Sequence, residues 1–178
     1  MILFLHPRAT RPKNRRFPLS ILALAAVLEG REEYAIVDGN VDPHPGETVD
    51  QVMRENPVEL LAVSVMPGPQ MVAAIPLCRE FRQKYAAVPI VWGGYFPSLY
   101  PDAALNAGYV DFVVRGQGED TLVELIAARR GQREFSAIHG RSYKDGSGRH
   151  LHNSDRPLRS PDDFIDPRLR SLESDAGI

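Results

Sequence analysis

Three short segments rich in glycine and proline carry the residues best suited to binding chemistry in this 178-residue chain. They cover residues 64–70, 92–98 and 115–121. Glycine lets a ligand approach the backbone closely and leaves backbone N–H groups free for hydrogen bonding. Within the third segment, the Glu119 carboxylate could accept a hydrogen bond from the loop backbone or from a ligand hydroxyl. Each segment also has a plainer interpretation as a turn, because glycine pairs often only reverse the chain.

The glycines do not form a familiar phosphate-binding motif. Gly116-x-Gly118 lacks the third glycine of the dinucleotide fingerprint and follows the fifth predicted strand instead of the first. The phosphate-loop lysine motif is also missing from the sequence. Asp38, at the end of the second predicted strand, could bind a ribose, but a turn or capping role is commoner for aspartate there.

Nucleophilic and metal-binding side chains are few. The only cysteine, Cys78, lies on the apolar face of a predicted helix, which favours packing in the core over nucleophilic chemistry. A single cysteine cannot form an internal disulfide or hold an iron–sulfur cluster. His150 and His152 alternate onto one face of a predicted strand, and without a third ligand we favour a solvated face over a metal site. His6, at a strand end, could be a ligand or a cap. We predict no catalytic and no metal-binding residue.

Five apolar runs of strand length alternate along the chain with segments of helical period. This alternation predicts a parallel α/β sheet, whose strands and helices position the three glycine-rich segments. The predicted strands are residues 1–5, 34–38, 60–65, 89–92 and 110–114, and the predicted helices are 18–30, 47–56, 70–85 with a kink at Pro76, 101–107 and 119–130. Parallel neighbours need crossover connections, and right-handed crossovers place helices on both faces. We therefore predict a Rossmann-like or flavodoxin-like sheet of five parallel strands in the order 2-1-3-4-5.

In such a sheet, ligands bind at the carboxyl ends of the strands, where the strand order reverses. The three glycine-rich segments therefore meet at one edge. Beyond this domain, predicted as residues 1–139, residues 140–153 indicate a β-hairpin around a glycine-rich turn. Residues 154–178 have no periodic apolar face and are interpreted as a linker or an arm that packs on something outside this chain.

Composition excludes several classes of protein. The chain is 43% hydrophobic and 25% charged, with a net charge of -2, as in an ordinary globular domain. Near neutrality argues against a dedicated nucleic-acid binder, despite a basic cluster within residues 8–16. No apolar stretch reaches the roughly 18–20 residues that span a bilayer, and the first residues lack a secretory signal, so we expect no membrane partner and a cytoplasmic location.

Several stretches, in their order and spacing, resemble the amino-terminal cobalamin-binding domain of cobalamin-dependent radical S-adenosylmethionine enzymes. They are residues 18–29, 37–40, 91–98 and 110–122, followed by residues 140–145, 156–157 and 162–167, which resemble that family's hairpin and linker. The sequence reads Gly-Gln-Gly-Glu at residues 116–119, where the family has Gly-Glu-Gly-Glu. The first loop lacks the Asp-x-His-x-x-Gly pattern that gives cobalt a histidine in other cobalamin domains, as is common in the radical enzymes.

The resemblance implies that cobalamin binds at the strand carboxyl ends, with its nucleotide tail running down into the sheet. Residues 64 and 66–68 would line the tail channel or the corrin face, residues 93–94 would let the tail pass, and residues 116–119 would hold its far end. The full set of implied cofactor-binding residues is Ser64, Met66, Pro67, Gly68, Gly93, Gly94, Tyr95, Pro97, Gly116, Gln117, Gly118 and Glu119. Whether the basic loop also touches the corrinoid is open, and we favour a solvated loop.

The resemblance also implies a partner. The domain would hold the corrinoid for methyl transfer or radical chemistry performed by a radical S-adenosylmethionine domain, in the same polypeptide or in a separate subunit. The iron–sulfur cluster and S-adenosylmethionine would belong to that domain, whose Cys-x-x-x-Cys-x-x-Cys motif these 178 residues lack. Two alternatives stay open: a docking module of the same fold without a ligand, and a flavin-binding domain at the same switch point.

Overall fold

A computed structural model of the protein describes residues 1–160. The predicted motif at residues 162–167 and most of the predicted linker lie outside the described residues. The strands are β1 (Ile2–His6), β2 (Tyr34–Asp38), β3 (Leu60–Ser64), β4 (Ile90–Gly93), β5 (Phe112–Val114), β6 (Arg141–Lys144) and β7 (His150–His152). The α-helices are α1 (Leu19–Leu28), α2 (Pro45–Glu55), α3 (Pro69–Lys84), α4 (Tyr95–Leu99), α5 (Pro101–Asn106) and α6 (Glu119–Arg129), with short 3-10 helices at Pro12–Asn14 and Phe135–Ala137.

The described strands form one sheet in the order β2-β1-β3-β4-β5-β6-β7. β1 to β5 pair in parallel, which confirms the predicted α/β class and the order 2-1-3-4-5. The predicted hairpin is present as β6 and β7, but it is not a separate appendage to a five-stranded sheet. β6 pairs antiparallel with the free edge of β5, with Arg141 opposite Val114, so the sheet has seven strands. An unpaired strand edge readily accepts another strand, and the hairpin covers this one.

The predicted strands and helices begin and end within two residues of those observed, with one omission. Helix α4 occupies the segment that we predicted as part of a glycine-rich loop, because Gly94 precedes a single helical turn closed by a bond from the Ser98 hydroxyl to the Gly94 carbonyl at 2.7 Å. Helix α3 continues through Pro76. None of the helices within residues 1–160 has the length and apolar character that crossing a bilayer requires.

The helices cover both faces of the sheet, as predicted. Helices α2, α3 and α5 pack on one face, and α1 and α6 pack together on the other. All residues of β1 and β3 are buried, which explains why these strands are apolar runs without alternation. Cys78 is fully buried in α3, where its sulfur accepts a bond from Trp92 Nε1 at 3.3 Å. Burial raises the pKa of the Cys78 thiol to about 12, so this cysteine is a core residue, as predicted.

A polar network at the carboxyl ends of β1 and β2 anchors the loop that leads into α1. The Asn40 side chain is buried, and its Oδ1 accepts bonds from the backbone N–H groups of Ala9 and Thr10 at 3.0 and 3.1 Å. Asp38 Oδ1 accepts a bond from the Asn40 N–H at 2.9 Å and lies 3.2 Å from His6 Nδ1. Asp38 thus serves as a turn residue, and burial lowers the pKa of His6. The network fixes the start of α1 relative to the sheet.

His150 and His152 share one strand face, as predicted. Both rings contact Asp102 Oδ1 of α5, at 2.7 Å from His150 Nδ1 and 3.2 Å from His152 Nε2. The face is therefore not simply solvated, since Asp102 covers part of it. The bond from His150 lowers the pKa of Asp102.

The first residues of the predicted linker, 154–160, contact α6 and the loop before it. Arg156 forms an ion pair with Glu124, and Arg159 Nη1 lies 2.8 Å from Asp120 Oδ2. The Gln117 side chain makes two bonds to the Arg159 backbone, donating to its carbonyl at 2.8 Å and accepting from its N–H at 2.6 Å. These residues therefore pack on this domain, and the division of the chain at residues 139 and 153 stays a prediction.

We predict that Asn40→Ala loosens the basic loop. The substitution removes the acceptor of two backbone N–H groups, so the free energy of unfolding should fall by about 1–3 kcal/mol. Trypsin should also cut faster after Lys13, Arg15 and Arg16, because a loop that opens more often is cleaved more often. Urea denaturation and mass spectrometry of the digest measure the two effects. Asn106→Ala, at an exposed position in α5, is the matched control. Identical stability and digestion of the two variants would contradict the prediction.

Candidate functional site

A cavity of about 280 Å³ lies between the sheet and the helices α1 and α6, at the carboxyl ends of β3, β4 and β5. We name it the α1–α6 cavity. Its lining residues are Ser20, Ile21, Leu24, Ala62, Val63, Ser64, Val91, Gly93, Gly94, Val114, Gly116, Gln117, Gly118, Glu119 and Leu122. The cavity therefore opens at the carboxyl edge of the sheet, where ligands bind in open parallel sheets, and lies beside the β1–β3 pair at which the strand order reverses.

Small residues at the strand ends open this cavity. Along β3, the side chains that face α1 and α6 shrink from Leu60 to Ala62 to Ser64. Along β4 they shrink from Val91 to Gly93, which pairs with Ser64 in the sheet. The gap between the sheet and the helices is thus filled at the amino ends of the strands and widens toward the carboxyl ends.

Glycines with different physical roles form the wall of the cavity. A Cβ atom at Gly93 would lie 3.7 Å from the Val114 carbonyl oxygen, an ordinary contact distance, so a side chain there would occupy the cavity itself. A Cβ at Gly118 would lie 3.2 Å from Leu24 Cδ2, so glycine allows α6 to begin close to α1. Gly94 has a φ of +99°, and a Cβ there would lie 3.0 Å from the Val65 carbonyl oxygen. The backbone therefore requires glycine at Gly94, whereas at Gly93 it leaves room for a ligand.

Polar groups concentrate at the mouth of the cavity. The hydroxyls of Ser20 and Ser64 lie 2.9 Å apart, joining α1 to β3. One hydrogen serves this bond, which leaves the second hydroxyl hydrogen for a ligand. Glu119 Oε2 is buried and accepts no hydrogen bond from any residue within 1–160. A buried oxygen without a donor is unfavourable by about 1–3 kcal/mol, so it marks a place where the donor of a ligand fits.

The structure brings seven of the twelve predicted site residues to this cavity. They are Ser64, Gly93, Gly94, Gly116, Gln117, Gly118 and Glu119. The other five do not line it. Met66, Pro67 and Gly68 are exposed in the loop before α3, Tyr95 is exposed, and Pro97 is buried within α4. We predicted these five residues together with the other seven because they are close in the sequence, but in the structure they lie outside the cavity.

We did not predict from the sequence the half of the cavity lining that comes from helix α1, from within the strands β3 to β5 and from Leu122 of α6. These residues are Ser20, Ile21, Leu24, Ala62, Val63, Val91, Val114 and Leu122. The predicted strand order was nevertheless sufficient to place α1 and α6 side by side on one face of the sheet. β2 lies on one side of β1 and β3 on the other, so right-handed crossovers place α1 on the face opposite α2 and α3. The helix that follows the last parallel strand then packs beside α1.

Solved structures with this fold include two enzymes that use cobalamin and S-adenosylmethionine. The cobalamin-dependent S-adenosylmethionine radical enzyme OxsB, with aqua-cobalamin and S-adenosylmethionine bound, superposes with a TM-score of 0.76 at 21% identity, covering 88% of this chain and 22% of OxsB. The radical S-adenosylmethionine methyltransferase TsrM from Kitasatospora setae, with its tryptophan substrate and an S-adenosylmethionine analogue bound, gives a TM-score of 0.72 at 22% identity, covering 86% of this chain and 30% of TsrM. TsrM has also been solved with cobalamin bound. These similarities establish the fold.

A curated relative is similar in sequence. The anaerobic magnesium-protoporphyrin IX monomethyl ester cyclase of Synechocystis sp. is 26% identical over 136 residues, which cover 75% of this chain and 27% of the cyclase. The chain therefore spans about a quarter of the length of this relative.

The family model described as B12 binding domain matches residues 6–126. This range includes every residue that lines the α1–α6 cavity. The match and the shared fold confirm the resemblance to cobalamin-binding domains of radical S-adenosylmethionine enzymes, and cobalamin is the cofactor after which the family is named. Because the match covers well over half of its residues, this chain belongs to the B12-binding domain family.

Proposed function

We propose that this domain binds cobalamin with the nucleotide tail in the α1–α6 cavity and the corrin ring outside its mouth. We further propose that it holds the cofactor for methyl transfer or radical chemistry in an adjoining radical S-adenosylmethionine domain, in the same polypeptide or in a separate subunit. The observation that carries the proposal is the cavity itself, which lies at the strand carboxyl ends and is lined by Glu119, whose buried Oε2 has no donor among residues 1–160.

The size of the cavity indicates that only one end of the cofactor enters it. Sites that enclose a whole drug-sized ligand measure about 300–1,000 Å³. Cobalamin is larger than such ligands, so about 280 Å³ can hold only one end of it. The tail is the narrow end, whereas the corrin ring is too broad to pass between a sheet and its covering helices. The corrin therefore belongs at the exposed edge of the sheet, where Met66 and Tyr95 stay candidates for contact with it.

The polar groups at the mouth fit the sugar of the tail. A carboxylate accepts hydrogen bonds from hydroxyl groups and repels phosphate, so Glu119 fits the ribose hydroxyls. The Ser20 and Ser64 pair offers one further donor at the opposite wall. Gly93 leaves the space through which the tail passes along β4. These residues bind and orient the cofactor through shape and hydrogen bonds.

When bound, cobalamin supplies a cobalt centre able to carry a methyl group or to take part in radical chemistry. The chain itself contributes position and shielding. Its thiol is buried with a raised pKa, and Glu119 is the only ionisable side chain among the described residues that line the cavity. A cofactor cavity of this kind also favours cobalamin binding over a docking module without a ligand.

We predict that Gly93→Leu abolishes retention of cobalamin while the fold persists. The leucine side chain would fill the passage for the tail without forcing a backbone change, because a Cβ at this position meets only ordinary contacts. Apoprotein would be incubated with hydroxocobalamin and desalted, and the bound corrinoid would be read from its absorbance. We expect at least about a tenfold loss of affinity, since the tail can no longer enter.

Two controls accompany this variant. Gly108→Leu lies in an open, exposed turn before β5, where a Cβ meets nothing within 4 Å, and should retain cobalamin like the wild type. Cobinamide, which lacks the nucleotide tail, should bind weakly to wild type and Gly93→Leu alike. A folded Gly93→Leu protein that retains cobalamin normally would show that the tail does not use this cavity.

We predict opposite effects of Glu119→Ala on the apoprotein and on the complex. Removing a buried oxygen without a donor relieves an unfavourable burial, whereas losing a hydrogen bond to the ribose weakens cobalamin binding about five- to tenfold. Glu47→Ala is the matched control, because Glu47 also lies in the first turn of a helix but is exposed. Both variants lose the favourable interaction of a carboxylate with the helix dipole.

The measurements are the melting temperature of the apoprotein and the dissociation constant of hydroxocobalamin. Glu119→Ala should melt no lower than Glu47→Ala and bind more weakly than it. Equal cobalamin affinity in the two variants would remove Glu119 from the binding site.

A further inference from the structure

We infer that the inner end of the α1–α6 cavity selects corrinoids by their lower base, admitting a benzimidazole and rejecting a purine. The inference rests on the proposed function, since it requires the nucleotide tail to occupy the cavity. It concerns a property that the binding of cobalamin alone does not determine, namely which corrinoids this domain accepts.

The cavity is polar at its mouth and apolar at its inner end. The hydroxyls of Ser20 and Ser64 and the carboxylate of Glu119 lie at the mouth. The inner end is formed by Ala62 and Val91, which pair in the sheet, and by Ile21 and Leu122 of the covering helices, none of which carries a polar side-chain atom. Leu24 and Val114, which lie beside Gly118, are nearer the mouth and are also apolar.

The mouth groups lie closer to the carboxyl ends of the strands than the inner end does. Ser64 follows Ala62 by two residues, which is about 6.6 Å along a strand. Glu119 precedes Leu122 by three residues, which is about 4.5 Å along a helix. A base that lies against Ala62 and Val91 is therefore about two strand residues deeper than the Ser64 hydroxyl, and Glu119 lies one helical turn nearer the mouth than Leu122.

The backbone of the inner end offers no replacement. Ala62 pairs with Val91 within the parallel sheet, so the peptide groups there are engaged in the ladder between β3 and β4. Val91 pairs in turn with Phe112 of β5. Leu122 donates its N–H to the Gly118 carbonyl at 2.8 Å within α6. The inner end is thus lined by hydrocarbon over a backbone whose hydrogen bonds are already made.

The two classes of base differ in what they would bury there. The outer edge of 5,6-dimethylbenzimidazole carries only C–H groups and methyl groups, which match an apolar wall. The outer edge of adenine carries an amino group and a ring nitrogen, which would lose their hydrogen bonds to water without finding new ones. An apolar pocket discriminates against such an added polar group by up to about a hundredfold.

A competition experiment tests the inference. Limiting apoprotein would be mixed with equal, excess concentrations of cobalamin and of the corrinoid whose lower base is adenine, desalted, extracted and separated by chromatography. We expect the bound fraction to contain at least about tenfold more cobalamin. Equal binding of the two, or a preference for the adenine corrinoid, would overturn the inference and leave the proposed function intact. Binding of neither would overturn the proposed function and, with it, the inference.

A variant pair tests whether the inner end is responsible. Val91→Thr adds a hydroxyl to the cavity floor with little change of shape and should lower the ratio of bound cobalamin to adenine corrinoid at least about threefold, by giving adenine a partner. Val113→Thr makes the same change on the opposite face of the sheet, in the core beneath α3 and α5, and should leave the ratio unchanged. The ratio does not depend on how much protein is folded. An unchanged ratio in Val91→Thr would overturn the assignment of selectivity to this surface.

Discussion

The spacing between the sheet and its helical layer is the constraint on which the site depends. Helices α1 and α6 rest on large side chains of the strands, among them Ile2 and Phe4 of β1 and Leu60 at the start of β3, all fully buried. That packing holds both helices at a fixed height along their whole length. Where the strand residues shrink to Ala62 and Gly93, the helices cannot follow them inward. A cavity therefore persists at the carboxyl ends, although protein interiors normally close such gaps.

The same topology brings the rest of the site to this edge. The chain leaves β1 in one direction and returns through β3 in the other, so the carboxyl ends of β3 to β5 and the amino ends of α1 and α6 converge. Two polar connections then fix the two walls. The Asn40 network holds the loop into α1, and Gln117 joins the loop before α6 to the Arg159 backbone. Because Gln117 also lines the cavity, the site is physically continuous with residues 154–160, which pack on α6 and the loop before it.

The alternation of apolar and helical segments was sufficient to predict the parallel strands, their order and the convergence of the three glycine-rich segments. It could not separate Gly93, which lines the cavity, from Tyr95, which is exposed, because β4 ends at Gly93 and the positive φ of Gly94 leads directly into α4. Ile21 and Leu24 of α1 could not be told from ordinary core residues, since periodicity reports the buried face of a helix and not what fills the space beneath it. The hairpin was predicted from its turn, whereas its attachment to β5 depends on an edge that only the assembled sheet creates.

The features that form the site are also those that weaken the apoprotein. An apolar gap forgoes packing contacts. The buried Oε2 of Glu119 has no donor among residues 1–160, which is unfavourable by about 1–3 kcal/mol. A ligand whose flat base fills the gap and whose hydroxyl donates a hydrogen bond to Glu119 restores both the packing contacts and the hydrogen bond when it binds. The walls meanwhile need little rearrangement, because α1, α6 and the strands are already fixed by their own packing. Binding energy is therefore not consumed in ordering the protein, and a mostly apolar cavity with few polar groups can retain a large ligand by one end.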